Sequence, residues 1–69
     1  MQINDIEMKM ILDQGMLTRS LIETETAMKK CQMYNEMAQT ADVKGFFQEQ
    51  AKGLEDVLGY LNKGMAELQ

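Results

Sequence analysis

Proline is absent from this 69-residue chain, and apolar residues recur at helical spacing in two long stretches that meet at Thr40-Ala41-Asp42. Nothing therefore forbids long helices, and Glu, Gln, Lys, Met, Leu and Ala, all good helix formers, dominate both stretches. The pattern predicts an all-α fold: one antiparallel helical hairpin forming a single domain over residues 1–69. The first helix is expected over about 5–39 and the second over about 41–68. Asn4 followed by Glu7 has the form of a capping box at the start of the first helix. Thr40 fits an N-cap for the second, with Asp42 where the helix dipole favours an anion.

The first helix carries an unbroken seven-residue repeat, Ile3, Met10, Leu17, Thr24, Cys31, Ala38. Leu21 and Met28 flank it on one side; Ile6, Ala27 and Tyr34 flank it on the other. Gly15 interrupts this helix with a residue that costs about 1 kcal/mol relative to Ala. It permits two readings. In one, the helix runs through it, as the repeat favours. In the other, a short leading helix over residues 5–12 folds back on the hairpin. The second helix has a strict heptad, Phe47, Leu54, Leu61, Leu68, widened by Ala51, Leu58 and Met65 and by Val43 and Val57. Gly45, Gly53, Gly59 and Gly64 lie inside it, and close approach of another helix is their expected use.

These stripes span about half of each helix, more than a two-stranded seam requires. A chain of this length buries only about 60% of its unfolded surface even when compact. Cys31 is the sole cysteine, so no internal disulfide can compensate. The expected remedy is a homodimer, two hairpins forming one ferritin-like four-helix bundle. Leu17, Leu21, Met28, Cys31, Phe47, Leu54, Leu58, Leu61 and Met65 are the candidate core and dimer-interface residues. Met8, Ile11, Leu12, Ile22, Met33 and Met37 lie off the main stripe. They would serve either the two-fold interface or a partner protein received on a Met-rich surface.

The chemistry that this composition excludes is broad. The net charge is −4, and Lys29-Lys30 is the densest cationic spot. Nucleic-acid binding needs a cationic stripe, and an anionic membrane surface needs the same. No apolar run approaches the length of a membrane span. The first residues, Met1 to Asp5, lack the parts of a signal peptide. With a lone free thiol, this reads as an intracellular, cytoplasmic chain. Di-iron bundles require a Glu-x-x-His motif, and histidine is absent. Cys31 has no histidine to activate it, and the heptad turns it inward, as a buried and inert thiol. Met28 and Cys31 are the only soft-metal candidates that share a stripe, for Cu(I). The expectation is a non-catalytic protein with no cofactor.

Several segments also resemble the small spore coat F-type proteins of endospore-forming bacteria, which are ferritin-like half-bundles. They are Asp13-Gln14-Gly15-Met16-Leu17, Tyr34-Asn35-Glu36-Met37-Ala38, Thr40 to Phe47, and Leu58-Gly59-Tyr60-Leu61-Asn62 with Gly64-Met65. In that family a small polar cap, an acidic, a basic and a large apolar residue open the second helix. Thr40, Asp42, Lys44 and Phe47 match them. The family often ends in a Gly-Trp-Tyr-like tail, which Gly64-Met65 does not reproduce. The resemblance implies a structural, self-associating protein of the spore coat and imports no active site.

Overall fold

The computed structural model describes residues 2–67 and has two helices, α1 (Asp5–Met37) and α2 (Ala41–Glu67), packed as an antiparallel hairpin. At 1.5 Å per residue α1 is about 50 Å long and α2 about 40 Å. Asn4 starts α1 in extended backbone, and its side chain accepts a hydrogen bond of 2.8 Å from the Glu7 N–H. Asp5 and Glu7 place negative charge in the first turn, where the unpaired N–H groups favour it. Gly15 lies inside a continuous α1, so no leading helix folds back over the hairpin.

The first helix ends at Met37, two residues before the sequence pattern predicts. Ala38 takes extended backbone, φ −62° and ψ 142°, while its N–H donates to the Tyr34 carbonyl at 2.8 Å. That turns the chain before Gln39 can join the helix. Thr40 then caps α2: its hydroxyl accepts from the Val43 N–H at 3.3 Å, and its carbonyl accepts from the Lys44 N–H at 3.0 Å. α2 extends to Glu67; the Leu68 of the heptad lies outside the described residues.

The hairpin measures 57 × 19 × 11 Å, one helix thick in its least dimension. Its radius of gyration is 16.6 Å, against about 11 Å for a compact domain of this length. Leu17 meets Gly64 and Thr18 meets Met65, so the last described turn of α2 lies opposite residues 14–18 of α1. Residues 5–13 of α1 have no described part of α2 beside them.

The glycines of α2 are not sites of close approach within the hairpin. A Cβ at Gly45, Gly53 or Gly59 would meet nothing within 4 Å, and one at Gly64 would make an ordinary 3.9 Å contact with Leu17 Cδ2. Gly53 and Gly59 are exposed, because the seam of α2 runs along other positions. Gly59→Ala should therefore stabilise the fold by about 1 kcal/mol, through helix propensity alone. A rise in the urea midpoint at unchanged slope is the expected readout; a fall would mean that something packs against Gly59.

Candidate interaction surface

The seam between the helices is built from the two heptad patterns. Leu17, Leu21, Met28 and Cys31 on α1 and Phe47, Leu54, Leu58, Leu61 and Met65 on α2 are all half-buried. All nine candidate core and interface residues thus share the same partial burial in the hairpin. None of the described residues is fully buried. Cys31, expected inside, is half-buried, because two helices can cover a side chain from only two directions. At the closed end three rings run in series. Tyr34 and Phe47 lie 5.2 Å apart at 55°, and Phe46 meets Phe47 at 5.1 Å edge-on, geometries that aromatic pairs prefer. Tyr34, Met37, Ala38, Val43 and Phe47 line an open apolar notch of about 280 Å³ beside them.

Outside the seam the surface is unusually apolar. Ile11 is 53% exposed, Ile22 62%, Met33 48% and Met37 64%. Met8 and Leu12 are exposed with them, so all six residues named for a partner surface lie open to solvent on α1. α2 adds a flank of Val43, Phe46, Val57 and Tyr60, also exposed. The sequence stripes held Val43 and Val57 as flanking positions with Phe46 and Tyr60 further round the helix, and all four are exposed.

The charged groups sit on the polar faces and do little beyond local support. Arg19 pairs with Glu23 and Lys29 with Glu25, each at 3.1 Å and each one helical turn apart. Such exposed pairs contribute about 0.3–0.5 kcal/mol. Among the described residues no three of His, Cys, Asp and Glu cluster closely enough to hold a metal ion. Met28 and Cys31, the soft-metal candidates, lie together on the seam of α1 as two donors. Comparison with known protein families, with curated proteins and with solved structures finds no match to this chain. No helix among the described residues is long and apolar enough to cross a membrane.

The arrangement leaves apolar side chains exposed along both helices outside the seam. The energetics of the two surfaces should differ accordingly. Leu58→Ala, on the seam, should destabilise the hairpin by about 2 kcal/mol, while Tyr60→Ala, 80% exposed, should change its stability by less than about 0.5 kcal/mol. Denaturant titration at a protein concentration low enough to hold the chain monomeric measures both.

Proposed function

We propose that this chain is a non-catalytic structural protein that works as a homodimer, two hairpins joined into a four-helix unit. One observation carries the reading. The hairpin exposes 5769 Å², whereas a compact monomer of 7.9 kDa would expose about 4,400 Å². The excess, about 1,350 Å² per chain, compares with the roughly 800 Å² per partner of a standard stable interface. A helix that is apolar on more than one side belongs between neighbours, and α1 has only one within the chain. The absence of histidine and the scatter of the carboxylates over polar faces favour an assembly role over catalysis.

Sedimentation velocity in reducing buffer, over a concentration series, tests this. The expected species has twice the 7.9 kDa chain mass. A monomer at every concentration would overturn the dimer. It would favour a second reading, supported by the exposed Met8, Met33 and Met37: a module that receives a helix of another protein on its methionine surface.

The likeness to the spore coat F-type proteins supplies a place for such a dimer, the coat of a bacterial spore. Deleting the gene in a sporulating host should then alter the protein composition of the coat. An unchanged coat would remove that location and leave the dimer standing.

A further inference from the structure

α1 carries large apolar side chains on a second side besides its seam. One side forms the seam with α2. Ile11, Ile22 and Met33 lie along the other, 11 residues apart, a spacing that drifts only about 20° per step and so keeps them on one line. At about 100° per residue that line stands roughly 100–180° around the helix from Leu17, Leu21, Met28 and Cys31, and its three residues stay exposed beside α2.

We propose that the second copy docks along this line, α1 against α1, antiparallel, with the two-fold axis at Ile22. The proposal rests on the dimer reading above and specifies its interface. The line is self-complementary about its centre. Steps of four, seven and eleven residues on either side of Ile22 reach Thr18 and Thr26, Gly15 and Lys29, Ile11 and Met33. An antiparallel copy therefore stacks Ile22 on the partner's Ile22 and Thr18 on the partner's Thr26. It also stacks Ile11 on the partner's Met33, and Gly15 on the partner's Lys29. A two-fold interface demands this reciprocity, because each contact is made twice.

Three further features fit the same register. Gly15 has open space around its missing Cβ, which leaves room for the partner's Lys29 stem. The Lys29 amine can stay outside, since it already pairs with Glu25 at 3.1 Å. At one edge of the contact Arg19 comes opposite the partner's Glu23, and Glu23 opposite the partner's Arg19. The observed Arg19–Glu23 pair thereby closes into a ring of four alternating charges around the axis. Flanking charges of this kind set the orientation of paired helices. Finally, Ile22 stands next to the midpoint of α1 (Asp5–Met37), so the pairing overlaps all of the two helices but their first two residues. Residues 5–13, which run past the described part of α2, then lie against residues 31–39 of the other copy. A parallel pairing would instead put Lys29 on the partner's Lys29 and Gly15 on the partner's Gly15, one contact repulsive and the other empty. The α2 helices flank the α1 pair, and the flank of Val43, Phe46, Val57 and Tyr60 stays outside this contact.

The test uses the full chain with Cys31→Ser, carrying either Ile22→Cys or Val57→Cys. Diamide oxidises two thiols to a disulfide and takes up their two protons and two electrons. The Ile22→Cys chain should form a covalent dimer faster than the Val57→Cys chain. Equal or slower crosslinking, in a protein that sediments as a dimer, would overturn this interface and leave the dimer reading intact. A wild-type monomer in sedimentation would overturn both. A second variant, Ile22→Lys, should raise the dimer dissociation constant by about a hundredfold, since an interface centre carries most of the binding energy. It should keep its helical circular dichroism, because Ile22 is 62% exposed in the hairpin. An unchanged dissociation constant would also overturn the interface.

Discussion

Everything in this molecule depends on a single helix–helix seam. Leu17, Leu21, Met28 and Cys31 on α1 and Phe47, Leu54, Leu58, Leu61 and Met65 on α2 are half-buried where the two helices pack, and no third element among the described residues covers them. Each side chain in such a seam is sheltered by its own helix and by one neighbour, so burial stops half-way. The apolar term that drives folding scales with area removed from water. A hairpin that leaves every described side chain at least partly wet forgoes much of that term. Caps at Asn4 and Thr40 and the Tyr34–Phe47 ring pair at the closed end add local support. They position the seam without enlarging it.

The two helices spend their apolar residues differently. α2 concentrates them on the seam and one flank, with Lys52, Glu55, Asp56 and Lys63 on the wet side. α1 distributes them around its circumference, and over residues 5–13 it runs past the described part of its partner. The proposed self-association would make use of that difference, because an inner helix needs two apolar sides and an outer helix needs one. The ion pairs are exposed and one turn apart, and the carboxylates are too dispersed to gather a metal ion.

Much of this was legible in the residues. The heptads at Leu17–Cys31 and Phe47–Leu61 carry the seam, because a period near 3.5 keeps the same face toward an antiparallel neighbour. The N-caps were legible because a short polar side chain before a helical run has few other uses. Less legible was the fate of Cys31, whose inward position predicts burial only if more than one helix covers it. The α2 glycines misled for a related reason. Gly45, Gly53 and Gly59 interrupt a helix that needs compensation, but the hairpin brings no backbone near them. Periodicity reports which face is apolar and carries no record of how many neighbours share it.

The sequence by itself determined two helices, their starts, the turn between them and the stripe on which they meet, because these follow from local propensity, capping and period. Tertiary structure decided the rest. It set the register that places Leu17 beside Gly64 and carries residues 5–13 past the described part of α2. It ended α1 at Met37 by extending Ala38. It left Cys31 half-buried. These are outcomes of relative placement: two helices of unequal length, joined by a short turn, can lie side by side along only part of the longer one.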